Sequence, residues 1–137
     1  MLINNGGAIH LAKTADIIRK EMLNHKTKFN NQFDEGSGEE SIRPSLLQFE
    51  CNIEHGVDIK SYMKHGVVKS DLAIAQLLQY NCNTKYGGGS AIHRHSKDRE
   101  TPFALYIGII VFAKTRKRQL IDKLHENGNS ISYDRVL

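Results

Sequence analysis

The stretch Thr101-Pro102-Phe103-Ala104-Leu105-Tyr106-Ile107-Gly108-Ile109-Ile110-Val111-Phe112-Ala113 decides how the chain is read. Its apolar run, Phe103 to Ala113, is 11 residues long. A membrane span needs roughly 20. The run therefore reads as a buried element of a globular domain, and no membrane segment is expected. Thr101 is placed to cap a helix, and Pro102 suits a first helical position. Tyr106, Ile107, Ile109, Ile110 and Val111 are β-branched or aromatic, so a strand is the competing assignment. Gly108 weakens strand and helix alike, and the neighbouring segments are helical. The spacing predicts a helix, apolar nearly all round, at the centre of the fold.

Working outward, Ile9, Leu11, Ala12, Ala15, Ile17, Ile18, Met22 and Leu23 recur at helical spacing from Ala8 to about Lys26. Pro44 opens a second helix with Leu46, Leu47, Phe49, Cys51 and Ile53 as its apolar positions, and Gly56 ends it. Val57 to Gly66 is ambiguous, with another helical turn or two around Ile59, Tyr62 and Met63. Ser70-Asp71 reads as an N-cap pair for a third helix carrying Leu72, Ile74, Ala75, Leu77 and Leu78. After the long apolar run, Thr115 is expected to cap a helix with Leu120, Ile121, Leu124 and His125 as its buried stripe, ended by Gly128. Ser130 or Ser132 then caps a last helix from Tyr133 to Leu137. The expected class is all-α, a small bundle of about five helices. It has a buried central helix and a helix-turn-helix-like C-terminal end. Its expected parts are an N-terminal helix (1–29), an acidic flexible linker (30–41) built on Asp34-Glu35-Gly36-Ser37-Gly38-Glu39-Glu40, and a helical domain (42–137). A new helix beginning at the last residues suggests that this domain is cut short.

Charge divides the chain. Residues 1–82 carry nine Lys/Arg against ten Asp/Glu, and residues 83–137 carry ten against five, so the formal net charge of +4 is −1 plus +5. A basic half points to an anionic partner, DNA phosphate first and an acidic protein surface or a missing domain of the same protein next. The basic clusters are Arg94, Lys97 and Arg99, and Lys114, Arg116, Lys117 and Arg118. Lysine and arginine at such density neutralise phosphates and release counterions. In a helix-turn-helix arrangement the second cluster sits on phosphates, while Tyr133 and Arg135 stand exposed on the following helix towards base edges. Ile131 plugs the gap between the two helices, and Val136 faces inward. Lys114 to Arg118 also has the make-up of a nuclear import signal.

Other chemistry finds little support. Cys51 and Cys82 make no disulfide framework and read as free thiols of an intracellular protein. His93 and His95, with Cys82 upstream, lack zinc-ligand spacing. Tyr86-Gly87-Gly88-Gly89-Ser90 lacks the terminal lysine of a phosphate loop. No catalytic triad or tuned carboxylate pair can be assembled from spacing. The expectation is a non-enzymatic protein with no cofactor and no metal.

The segments Ser70-Asp71-Leu72-Ala73-Ile74-Ala75-Gln76-Leu77-Leu78-Gln79-Tyr80-Asn81-Cys82, His95-Ser96-Lys97-Asp98-Arg99-Glu100-Thr101-Pro102 and Ile131-Ser132-Tyr133-Asp134-Arg135-Val136-Leu137 carry a resemblance. With them the chain resembles a family of long, multicopy, uncharacterised animal proteins of mobile-element character. The resemblance implies a truncated copy or gene-model fragment of a longer protein that continues past the Ser-Tyr-Asp-Arg-Val segment. It supplies no catalytic residues. Asn129 departs from it, since similar sequences place an apolar residue there. A cysteine-rich zinc segment of the kind longer relatives could carry is absent from this sequence. The function expected from residues and resemblance together is a non-catalytic, nucleic-acid-associated helical fragment. The alternative is a helical protein–protein interaction module with a basic face.

Overall fold

The computed structural model describes residues 5–25, 33–57, 68–82 and 100–137. The readings of Ile59 to Met63, the glycine loop, His93 and His95, and the basic residues Arg94, Lys97 and Arg99 lie outside the described residues. Among those described, seven helices pack together and there is no strand. They are α1 (Asn5–Asn24), α2 (Ser37–Glu40), α3 (Pro44–His55), α4 (Lys69–Asn81), α5 (Pro102–Thr115), α6 (Arg118–Glu126) and α7 (Tyr133–Val136). None of them is long and apolar enough to cross a membrane.

The apolar run is helical, as its proline and neighbours predict. It packs against α2, α4, α6 and α7, which makes it central. Its burial is one-sided, however. Pro102, Ala104, Leu105 and Gly108 face inward, while Tyr106 and Ile109 are exposed. Gly108 is required by packing: a Cβ there would lie 2.8 Å from Ile131 Cγ1 and 3.1 Å from Val136 Cγ2. Its bare backbone lets the C-terminal hairpin close onto α5.

Helix α4 organises the molecule, by a pattern that apolar periodicity did not predict. Its inward face is Asp71, Ala75, Gln76, Gln79 and Tyr80. Ile74 and Leu78, expected in the core, are 40% and 46% exposed. The buried polar groups on α4 satisfy the frayed backbone ends of other helices, where four N–H or C=O groups lack helical partners. Gln79 Nε2 donates to Met22 O near the end of α1 at 3.0 Å. Gln76 Oε1 accepts from Phe103 N at the start of α5 at 2.8 Å, and Thr101 Oγ1 donates back to Gln76 O at 3.2 Å. Thr101 therefore occupies the cap position without capping by its own side chain. Tyr80 Oη donates to Ser130 O, and Asn81 Nδ2 donates to Gly128 O at 2.9 Å. Asp71 is likewise not a cap. Helix α4 starts at Lys69 after Val68, and the Asp71 carboxylate is buried against the end of α3.

Two apolar clusters flank this polar seam. Met22, Ile42, Leu46 and Ala75 form one, with Ile18, Leu47, Leu72 and Cys82 against it. Tyr80, Ala104, Leu105 and Ile131 form the other, with Leu77 and Val136. The N-terminal helix joins the first cluster, so it is part of the same packed body. The acidic segment also departs from the expected linker. Its Ser37–Glu40 turn packs on α4 and α5, anchored by the buried Ser41 and Ile42 that follow, and Gly38 lies where a Cβ would meet Gln76 Nε2 at 2.9 Å. Docked on two helices and followed by buried residues, a segment of high charge can still order.

Replacing Gln76 by Leu keeps the volume but leaves the Phe103 N–H without its acceptor, at a cost of about 1–3 kcal/mol. The reverse polarity change at Leu78, to Gln, should stay within about 0.5 kcal/mol because that side chain already faces solvent. Urea midpoints at unchanged slope check both, and equal losses would contradict the account of the α4 face.

Candidate functional site

The cationic corner is built where α5 passes into α6. Helix α5 ends at Thr115, whose Oγ1 donates to Val111 O at 2.7 Å and accepts from Lys117 N at 3.2 Å. Thr115 thus closes the outgoing helix rather than capping the next, which starts at Arg118. Arg116 takes a left-handed backbone, φ 55°, and its N–H returns to Phe112 O at 2.9 Å. This sharp exit splays five consecutive residues, Lys114 to Arg118, into solvent.

Two of the cations are held in place by rings. The Arg116 guanidinium carbon lies 4.8 Å from the Phe112 ring centroid, and that of Arg118 lies 4.8 Å from Tyr133. The two rings meet edge to face at 6.0 Å. Each cation over a ring face gains on the order of 0.5–1 kcal/mol at an exposed site, and a planar guanidinium stacked on a ring can still present edge donors to an anion. Arg118 also lies 3.5 Å from Asp122, an exposed pair that water screens. Lys114, Arg116 and Lys117 make no ion pair among the described residues.

The C-terminal hairpin has the expected outline and different surface chemistry. Asn129 N–H reaches Leu124 O at 2.8 Å and Gly128 N–H reaches His125 O at 3.0 Å, the two bonds of a Schellman helix end. Gly128 sits at φ 73°, and a Cβ there would meet Asn81 Oδ1 at 2.5 Å, so backbone and packing both require glycine. Ile131 is fully buried and plugs the gap. Leu120, expected in the buried stripe, is 43% exposed, and Ile121 takes the inward position. Tyr133 is half-buried beneath Arg118 rather than free. Arg135 is half-buried too, with Nε 3.1 and 3.0 Å from the two Glu100 carboxylate oxygens. That ion pair locks α7 to the entry of α5. It takes Arg135 out of the set of cations open to a ligand.

A second chemical grouping was not legible in the sequence. At the junction of α3 and α4, Glu50, Cys51, Glu54 and His55 meet Asp71. His55 Nε2 lies 3.0 Å from Asp71 Oδ2, and Cys51 Sγ lies 4.0 Å from the same oxygen. Glu50 and Asp71 are buried. Burial pushes the Glu50 carboxyl up to about 7, and the charges of Asp71 and Glu54 add to the rise. Burial also raises Asp71, but hydrogen bonds with Glu54, His55 and Glu50, together with the His55 charge, outweigh it and leave Asp71 below the usual range. Burial and the Asp71 charge lift the Cys51 thiol to about 11, so it stays protonated. The only sequence signal was the spacing Glu50, Glu54, His55, which puts three groups on adjoining helical positions; nothing pointed to Asp71 as their partner.

No family model, curated protein or solved structure matches the chain.

The raised Glu50 value has a pH consequence. An acid whose folded value lies above its unfolded one stabilises the fold fully below about pH 4.5, and that contribution is lost as pH rises through about 7. Glu50→Gln keeps the hydrogen-bonding shape and removes the titration. In chelator-treated buffer its stability relative to the parent should therefore rise between pH 4.5 and 7.5, by on the order of 2 kcal/mol. Parallel pH profiles of the two proteins in urea melts would contradict the burial argument.

Proposed function

We propose that this chain is a non-catalytic, nucleic-acid-associated helical module that grips phosphates through Lys114, Arg116, Lys117 and Arg118. The observation that carries this reading is the corner itself. Four exposed cations fall within five residues, and two of them are pre-set by ring contacts. Ordering long basic side chains before the ligand arrives lowers the entropy lost on binding. Phosphates spaced along a polyanion match such a cluster better than a single carboxylate does.

The same geometry argues for binding without base readout. Arg135 is committed to Glu100, and Tyr133 lies under Arg118. With both expected reading residues of α7 engaged, contacts that position the protein dominate over contacts that specify sequence. Arg94, Lys97 and Arg99 belong to the proposal by charge alone. A mobile-element setting rests on the resemblance of the Ser70–Cys82, His95–Pro102 and Ile131–Leu137 segments, and a nuclear location on the import-like make-up of Lys114 to Arg118. The rival, an interaction module for an acidic protein, draws support from the exposed Tyr106 and Ile109 on α5 and Leu120 on α6.

Titration of mixed-sequence duplex DNA against salt separates the two. Four phosphate contacts predict a log–log slope of about −3.6. Charge reversal in Lys117→Glu/Arg118→Glu should abolish binding with the helical circular dichroism unchanged. Arg135→Gln should instead lower stability by about 1–3 kcal/mol, by stranding the buried Glu100, and leave the salt slope intact. Absence of duplex binding at low salt would overturn the proposal in favour of the acidic partner.

A further inference from the structure

The grouping at the α3–α4 junction has the donors and the geometry of a cation site. The oxygen, nitrogen or sulfur atoms of Glu54, His55 and Asp71 lie within 4.8 Å of one another, and so do those of Glu50, Cys51 and Asp71. The two triplets share Asp71 and so form one continuous site. A cluster of carboxylates alone would mean little, since such groups often have no ligand beyond water. Two features set this one apart. It contains an imidazole and a thiol as well as acids. Moreover, Glu50 is 4% exposed and its Oε2 is buried with no hydrogen-bond partner among the described residues. A buried carboxylate oxygen without a donor is costly, and a cation beside Asp71 would satisfy it.

We propose that Glu54, His55 and Asp71, backed by Glu50, bind a divalent transition-metal ion of the zinc class. His55 Nε2 and Asp71 Oδ2 are already 3.0 Å apart. Two ligands at about 2.1 Å from one ion span that distance when they subtend about 90°, and a few tenths of an ångström more gives the tetrahedral angle. The imidazole selects borderline ions such as Zn2+ over Mg2+, which prefers oxygen and retained water. The ion takes the place of the direct His55 Nε2–Asp71 Oδ2 contact. The burial gradient supplies both support and access. Asp71 is fully covered, whereas the side chains of Glu54 and His55 are 36% and 34% exposed at the rim. Asp71 and Glu50 would fix the ion from inside, and the rim pair would receive it from water. The site lies on α3 and α4, away from the cationic corner between α5 and α6, and does not depend on the nucleic-acid reading.

The test is calorimetric titration of the full chain with Zn2+ after chelator treatment, with Mg2+ as the comparison. One Zn2+ per chain should bind, with little response to Mg2+, and the melting temperature should climb with Zn2+ concentration. His55→Ala and Glu54→Gln lie at the exposed rim and should fold normally by circular dichroism, yet weaken binding by at least about tenfold. The double variant His93→Ala/His95→Ala removes the other histidine pair and should bind as the parent does. No saturable Zn2+ binding, parent-like binding by both rim variants, or loss of binding in the His93/His95 variant would each overturn the proposal.

Discussion

Everything in this fold depends on the polar face of α4. Asp71, Gln76, Gln79, Tyr80 and Asn81 reach the ends of α3, α5, α1 and the C-terminal hairpin. Helix ends are where a small bundle is weakest, because their backbone groups lose both water and helical partners on packing. A single helix that supplies these partners fixes where its neighbours start and stop. It also fixes their register, since a hydrogen bond at about 3 Å tolerates less sliding than an apolar contact does. The two apolar clusters then fill the spaces on either side of a frame already set.

The two candidate sites are consequences of that frame. Glu100 is held near the start of α5, which Gln76 and Thr101 dock, and Arg135 ties α7 back to it. The Phe112–Tyr133 contact then brings the aromatic rings under Arg116 and Arg118. At the other end of α4, its first turn carries Asp71 into the end of α3 and gathers the carboxylates, imidazole and thiol there. Positive and negative chemistry thus occupy separate places in one body.

Residue pattern and tertiary structure part company on α4, α5 and α6. Ile74, Leu78, Tyr106, Ile109 and Leu120 are apolar residues at helical spacing, and each is exposed. Periodicity identified the longer helices and part of their inward faces, among them Leu46, Ala75 and Ile121, but not the polar residues that share those faces. In a bundle this small, the inward side is chosen by where specific hydrogen bonds and close approaches are possible. Gly108 and Gly128 show the same principle, because their value lies in what touches them: Ile131 and Val136 in one case, Asn81 in the other.

By itself the amino-acid sequence determined the all-helical class, the helix starts at Pro44 and Pro102, the glycine stop at Gly128 and the crowding of positive charge into Lys114 to Arg118. These are local properties: proline geometry, left-handed glycine backbone, spacing and charge act within a few residues. Only the tertiary structure decided that Arg135 pairs with Glu100, that the Tyr133 ring anchors Arg118, that the acidic turn packs, and that Asp71 joins Glu50, Glu54 and His55. Those contacts join residues from 16 to 35 positions apart in the cases of His55–Asp71 and Glu100–Arg135. Helical periodicity carries no information at that range, because the pairing is set by how whole helices dock.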